Sequence, residues 1–330
     1  MEDVIDKLDN TLCILVERPE MYENRIQHAN IRGTMTVNDL VKEMNGCAFG
    51  AGRLAMACDI LEEMQDDGVT KFFGLSGAMV PAGMRNIVSD MIRDGHIDIL
   101  VTTGANMVHD AIEAVGGYHE KGSDTADDIE LKNKHINRIY DVFLDEGCFG
   151  VLEEKMQGIY GSMDPSKVYS IRELLSEIGK NLDDKHSILR SAYDMGVPIY
   201  CPAIQDSVLG LQAWLYKQMN KLTVDAFADM REFMDTCYGA KRTGALLIGG
   251  GVPKNYVLQS MLVTPRGGFD YVIQVTMDRA ETGGLSGATL DEARSWGKVG
   301  DNAKAVQVYC DATIALPIML ATLKERKNKM

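Results

Sequence analysis

Apolar runs long enough to cross a bilayer are missing from this 330-residue chain: the stretch from Thr11 to Val16 is far shorter than the roughly 20 residues a spanning helix needs. The acidic start Met1-Glu2-Asp3 lacks the basic region of a signal peptide, so a cytoplasmic protein with no membrane partner is expected. Positive charge is scarce as well, with 34 Lys and Arg against 48 Asp and Glu and a formal net charge of -14. Nucleic-acid binding would then need a local basic patch. The only cluster, Lys324, Arg326, Lys327 and Lys329, has no interleaved aromatics and reads as a helix end with favourable dipole placement, so no nucleic-acid partner is expected. An acidic surface suits a cationic substrate better. The seven cysteines are odd in number, form no Cys-x-x-Cys pair and have no zinc-like histidine spacing. A reducing compartment and no metal follow. No Pro-, Gly- or Ser-rich linker and no fixed-period repeat divides the chain.

What is present is an alternation of short apolar strands, small-residue turns and helix-period segments, which indicates an α/β fold. The expected class is a Rossmann-like open parallel sheet of about six strands with helices on both faces. The strands are placed at Lys71 to Gly74, Ile97 to Thr102, Val197 to Cys201, Gly244 to Ile248, Tyr271 to Val275 and Ala305 to Tyr309. A helix opens at Pro81, aligns Met84, Val88, Met91 and Ile92, and stops at Gly95. Ser170 starts another, and Leu54, Ile60, Leu61 and Met64 mark an amphipathic one upstream of the first strand. Residues 1–50 read as a helical N-terminal extension and residues 51–330 as one α/β domain. The loosely matching Gly50-x-Gly52-x-x-Ala55 has no strand before it and is assigned to a helix start.

In open α/β sheets ligands bind beyond the carboxyl ends of the strands. Four such loops are rich in small residues: Ser76-Gly77-Ala78, Thr103-Gly104-Ala105-Asn106, Gly249-Gly250-Gly251 and Asp311-Ala312-Thr313. The triple glycine alone fits a tight turn as well as a diphosphate contact. The four loops together favour a nucleotide. A second candidate is Asp291-Glu292-Ala293-Arg294-Ser295-Trp296-Gly297-Lys298, where helical spacing aligns Glu292 with Trp296 and Lys298 leaves the C-terminus. A lysine attacks carbonyl or imine carbon only when neutral, which burial against a wall such as Trp296 could favour, while Glu292 could hold a substrate ammonium. From residue types alone, a lysine at a surface helix end is the favoured reading.

The segment Glu292 to Lys298 closely resembles the active-site segment of deoxyhypusine synthases. Ile99-Leu100-Val101-Thr102-Thr103, Cys201-Pro202-Ala203, Ile248-Gly249-Gly250-Gly251-Val252 and Val308-Tyr309-Cys310-Asp311-Ala312 follow that family in order, over roughly residues 45–320. The resemblance implies a transferase in which NAD takes a hydride from spermidine, the active lysine holds the aminobutyl group as an imine, and the hydride is returned. The acceptor is a lysine of a translation factor or, in related enzymes, a small diamine. Carried over by position, Lys298 is the nucleophile, with Glu292, Trp296 and Ser286 in the amine pocket. Gly77, Ala78, Thr103, Gly104, Asp206, Gly250, Asp311 and Ala312 fall where the family contacts NAD. The family's homotetramer, a dimer of dimers with sites at the dimer interface, is implied too.

Departures fall in the amine pocket and, at Gly77, Ala78 and one of the Val108 and His109 positions, at the cofactor. Val108 and His109 stand where the family has two glutamates, Leu211 replaces an aspartate, and Asn255 replaces a histidine. Gly283-Gly284-Leu285 replaces an acidic stretch, and Gly77 and Ala78 replace serine and asparagine. His109 with Asp110 could form a new acid-base pair, or His109 could simply bond to backbone. Each lost charge-assisted bond is worth about 1.5–3 kcal/mol, so an altered amine donor or a small-molecule acceptor is expected. The alternatives are a true deoxyhypusine synthase with a rearranged pocket and a non-catalytic NAD-binding protein. A sirtuin-like deacylase, suggested by Thr103 to Asn106, is disfavoured by the absence of a four-cysteine zinc module.

Overall fold

The computed structural model describes residues 25–265 and 267–328; the run from Thr11 to Val16, the first part of the expected extension up to residue 24, and Lys329 lie outside the described residues. The centre is a sheet of β1 (Val69–Leu75), β2 (Ile99–Thr102), β3 (Ile199–Tyr200), β4 (Arg242–Ile248), β5 (Phe269–Thr276) and β6 (Val299–Tyr309). Its spatial order is β6-β5-β4-β1-β2-β3, and every neighbouring pair is parallel. All six expected strands are present. The last starts at Val299 rather than Ala305, because its first half is polar and meets β5 through a register shift between Phe269 and Tyr271, which hides it from an apolar pattern.

Helices α1 (Val37–Asn45), α2 (Phe49–Glu63), α3 (Arg85–Arg93), α4 (Gly104–Ala114), α5 (Gly147–Ser162) and α6 (Ile171–Lys180) occupy the first half of the chain. They are followed by α7 (Ile188–Met195), α8 (Val208–Met219), α9 (Ala228–Gly239), α10 (Gly251–Gln259), α11 (Leu290–Ser295) and α12 (Ala312–Lys327). Successive strand residues divide between two cores, as the period of two requires. Phe73, Leu75, Leu100, Leu246 and Ile273 join residues of α2, α3, α4 and α12, whereas Phe72, Ile99, Val101, Leu247 and Val272 join Phe233, Val257 and Leu258 of α9 and α10. Covering both faces explains why the strands are apolar nearly throughout.

Local signals set the helix ends. Ser170 and Glu173 form a reciprocal capping box on α6, and Gly50 and Gly52 lie within α2 rather than in a dinucleotide turn. The expected helix at Pro81 is interrupted: Val80–Met84 is a π-type turn broken by Gly83 at φ 87°, and α3 begins at Arg85. The basic end of α12 is neutralised within the protein, since Lys324 meets Asp94 at 2.9 Å and Arg326 meets Glu62 at 2.6 Å. Val37 and Asn38 at the start of α1 donate backbone N–H groups to Glu325 of α12. A region not legible in the sequence lies between α4 and α5. It is a three-stranded antiparallel sheet of Glu120–Lys121, Ile136–Ile139 and Val142–Asp145.

One buried ion pair ties three helices behind the sheet. Asp110, fully buried on α4, accepts from Arg85 Nε at 2.7 Å, from Ser187 Oγ at 2.7 Å, and from the N–H groups of Ile188 and Leu189 at 2.9 Å. Burial pushes the Asp110 carboxyl above the usual carboxylate range, and Arg85 and the start of α7 offset that only in part. The expected pairing of Asp110 with His109 is therefore corrected: Asp110 points the other way, into the helix junction. Removing one partner of a buried pair strands the other charge. Arg85→Met is expected to cost about 3–5 kcal/mol in urea denaturation.

His96, at the end of the α3 turn, is 5% exposed and hydrogen-bonds Gln65 Oε1 through Nδ1 at 2.9 Å. Burial, then the charge of Lys327, pull its pKa down to about 4, against a partial opposing pull from Asp94. The unfolded chain then binds a proton below about 6.5 that the folded chain refuses until about pH 4. Stability falls as pH drops through that window. Denaturation at pH 7 and pH 4.5 is expected to show a smaller loss for His96→Asn, which keeps a donor for Gln65 but has nothing to protonate.

Candidate functional site

The carboxyl ends of β1 and β4 lie side by side, with Leu75 in register with Ile248, and the sheet order reverses between them. Such a switch point opens a crevice. One cavity of about 340 Å³ is lined by Ser76, Gly77, Ala78, Thr103, Gly104, Asp206 and neighbours. A second, of about 430 Å³, is lined by Gly77, Gly249, Gly250, Ser286, Asp311 and Ala312 among others. They share Ser76, Gly77 and Gly251, so all eight residues expected at the cofactor border one continuous crevice. The N-termini of α4, α10 and α12 open onto it; those of α4 and α10 have no side-chain cap and can offer backbone N–H groups to an anion, whereas Asp311 caps α12 by accepting from Thr313 N–H.

Hydrogen bonds fix the crevice walls. Ser76 Oγ donates to Gly250 O at 2.5 Å. The buried Asn106 accepts from the N–H groups of Met79 and Val80 and donates to Thr102 Oγ1. At Gly250 any side chain must displace its neighbour: an added Cβ would lie 2.2 Å from Ser286 Cα. The Ser286 loop thus presses against the glycine turn, and Gln274 stitches the two by donating to Gly249 O and Ser286 O, both at 2.9 Å.

Lys298 is delivered by a helix stop. Thr289 caps α11, and Gly297, at φ 70°, ends it in a Schellman closure: Gly297 N–H donates to Arg294 O at 2.8 Å and Lys298 N–H to Ala293 O at 3.0 Å. The chain turns there into β6, half-burying the Lys298 side chain, whose Nζ donates to Asn255 Oδ1 on α10 at 3.1 Å. Ser286 lines the crevice beside Gly250, whereas Lys298 and Asn255 are not among the residues that line its two cavities. The expectation of a dry indole wall is corrected. Trp296 is 65% exposed, and Lys298 Nζ sits 5.8 Å from its ring centroid. A six-residue helix ending in a reversal leaves the indole outside the core. Glu292 is likewise exposed.

A functional group that the sequence reading passed over is Lys254, three residues past the triple glycine. It is 4% exposed and its Nζ donates to Gln274 Oε1 at 3.0 Å, Leu285 O at 2.9 Å and Ala288 O at 2.6 Å. Burial pulls its pKa down to about 8; Glu292 opposes this and the charge of Lys298 adds to it. A lysine as the fourth residue of a helix that begins at a glycine turn was the available signal.

His109 is not beside Lys298 within the chain. It lies one turn below Ala105 on α4, and its Nδ1 is 2.9 Å from His119 Nε2. His119 Nδ1 is in turn 2.7 Å from Glu113 Oε1. Burial, then His119, pull the His109 pKa down to about 4, with Glu113 opposing. Its partners are therefore side chains, not backbone. Among the described residues, no group of His, Cys, Asp and Glu is arranged to hold a metal.

The deoxyhypusine synthase family profile matches residues 39–323. The Methanosarcina mazei protein named "Probable deoxyhypusine synthase 1" is 65% identical over 92% of this chain and 96% of its own length. An Archaeoglobus fulgidus relative of the same name is 45% identical over 92% of this chain and 98% of its own. A crystal structure from Entamoeba histolytica assigned to deoxyhypusine synthase shares the fold, with a TM-score of 0.63 at 14% identity over 90% of this chain and 96% of that one. With a profile match spanning the sheet, the glycine turn and Lys298, and relatives this similar along nearly their whole length, the chain belongs to the deoxyhypusine synthase family.

Proposed function

We propose that this protein is an NAD-dependent aminobutyl transferase that holds the transferred group on Lys298 and works on an amine donor bound with few carboxylate contacts. The observation that carries the reading is the placement of Lys298, turned off α11 by Gly297 so that its Nζ meets Asn255 of α10, the helix that opens at the glycine turn. The crevice fits a dinucleotide: two connected cavities, two uncapped helix N-termini, and a Gly250 backbone that a Cβ would push off Ser286. Gly77, Ala78, Thr103, Gly104, Asp206, Gly250, Asp311 and Ala312 would hold it. When bound, NAD supplies a hydride acceptor that later gives the hydride back.

The remaining steps belong to the chain. Lys298 Nζ, once neutral, attacks the imine carbon of the oxidised donor and expels the smaller amine, leaving a lysine imine. Asn255 orients that amine by accepting its hydrogen bond. An incoming acceptor amine then displaces Lys298 by the same exchange in reverse. The family name of the close relatives supports a protein lysine as acceptor. Leu211 and Asn255, in place of charged or ionisable groups, support a donor other than one matched charge by charge. Trp296 and the exposed apolar residues Leu285 and Met277 at the crevice rim support a homotetramer whose partner subunit covers the site. Residues 51–330 would act as the NAD-binding domain, in the cytoplasm.

Borohydride added to protein, NAD and a panel of polyamines, diamines and agmatine is expected to leave an adduct on Lys298, seen by peptide mass spectrometry and absent in Lys298→Arg. No adduct with any donor while NAD is bound would remove the imine. The cofactor part is tested separately. Gly250→Ala should weaken NAD binding by about tenfold or more in calorimetry, about 1.4 kcal/mol, and an unchanged affinity would place the dinucleotide elsewhere.

A further inference from the structure

Lys254 takes no part in the chemistry above, and it is not among the residues that line either cavity. It is nevertheless a buried cation whose three donors all meet the framework of the site. An ammonium carries three N–H groups and no acceptor. Lys254 Nζ meets three oxygens, Gln274 Oε1 at 3.0 Å, Leu285 O at 2.9 Å and Ala288 O at 2.6 Å. Burial pulls its pKa down only to about 8, so it keeps its proton at neutral pH.

Each of the three contacts leads to a different part of the site. Because a lysine ammonium can only donate, the amide oxygen of Gln274 has to face it, which turns Nε2 toward Gly249 O and Ser286 O, both at 2.9 Å. Leu285 and Ala288 bracket Ser286, the residue that packs on Gly250 and lines the crevice. The N–H groups of Gly287 and Ala288 both donate to Gly284 O at 3.1 Å, so this loop is a closed turn that moves as a unit. Ala288 also leads directly into Thr289, whose Oγ1 caps α11 by accepting from Glu292 N–H at 3.0 Å. The far end of α11 releases Lys298, and Lys298 Nζ donates to Asn255, the neighbour of Lys254 on α10. The Asn255 amide is held in turn by donating to Gln259 Oε1 at 3.0 Å. Two successive residues of α10 thus hold α11 at its start and at the lysine that leaves it.

We propose that Lys254 is a positioning residue that fixes the reach from the crevice wall to Lys298, by holding the Ser286 turn and the start of α11 on one ammonium. The consequence for catalysis rests on the dinucleotide and Lys298 roles proposed above. The donor carbon has to meet the dinucleotide when it is oxidised and Lys298 Nζ when it is captured. The crevice wall and the lysine-bearing helix must therefore keep a constant separation, and a misplacement of about 1 Å costs about a hundredfold in rate. Gln274 holds only the wall, whereas Lys254 holds the wall and α11 together, so the two side chains differ in what their loss does.

The test is Lys254→Met, which keeps an apolar stem of similar length and removes the three donors. At saturating NAD, adduct formation on Lys298 under borohydride trapping is expected to slow about a hundredfold, and NAD affinity in calorimetry to fall about tenfold. For Gln274→Met, which leaves Lys254 on Ala288, the loss is expected mostly in NAD affinity. A role in stability alone would lower the thermal midpoint and leave both readings, taken well below that midpoint, at wild-type values. Lys254→Met forming the adduct at the wild-type rate with NAD saturating would overturn the proposal, as would Gln274→Met slowing the saturated rate as much as Lys254→Met does. Should Lys254→Met not fold, Lys254→Arg, which keeps the charge and donors at a different reach, is read in its place: a slowed adduct is expected, and the wild-type rate would overturn the proposal. Wild-type protein that binds NAD yet forms no adduct with any donor would instead overturn the role of Lys298 and remove the reach that Lys254 is proposed to fix.

Discussion

Parallel pairing of β1 with β4 is the constraint on which the rest depends. Seven consecutive residues of each strand match, from Val69 with Arg242 to Leu75 with Ile248, although the strands are far apart in sequence. That register puts Ser76 against Gly250 and lets a serine hydroxyl bridge the two loops. The chain leaves the two strands in opposite directions, so nothing fills the space between them. Crevice, glycine turn and helix N-termini are consequences of one strand pair that local sequence does not encode.

Buried polar groups are grouped where they position reacting atoms. Gln274, wholly buried in β5, satisfies both its donors and its acceptor by joining Gly249, Ser286 and Lys254. Lys254 in turn holds the carbonyl groups of Leu285 and Ala288, so the loop that replaces an acidic stretch in this chain is clamped by a lysine. Unpaired, each such group would cost about 1–3 kcal/mol. Their mutual satisfaction gives the Ser286 loop one position rather than several. The Arg85 and Asp110 pair does the same for α3, α4 and α7, holding α4 at the angle that carries His109.

Electrostatics at the amine pocket follow from these replacements. His109 Nδ1 lies 2.9 Å from His119 Nε2, and Asn255 Oδ1 accepts from Lys298 Nζ at 3.1 Å. The overall acidity of the chain, net -14, supplies long-range attraction without a local partner.

Much of this was legible in the linear sequence. Apolar runs marked all six strands because both sheet faces are covered, and small residues marked the crevice loops, where Gly250 packs so closely that an added Cβ would lie 2.2 Å from Ser286 Cα. The segment ending in Trp296-Gly297-Lys298 carried the family resemblance, and Gly297 is the residue whose positive φ releases the lysine. What the sequence could not display was partnership across distance. Asp110 reads as a neighbour of His109, yet successive helix residues point about 100° apart, and the fold gave one to Arg85 and the other to His119. Trp296 reads as a wall beside Lys298, yet a helix of six residues leaves it outside the core. Residue type and spacing determined the elements. Which buried groups face one another was decided only by strand order and helix packing, because hydrogen bonds between distant segments leave no periodic trace in a chain.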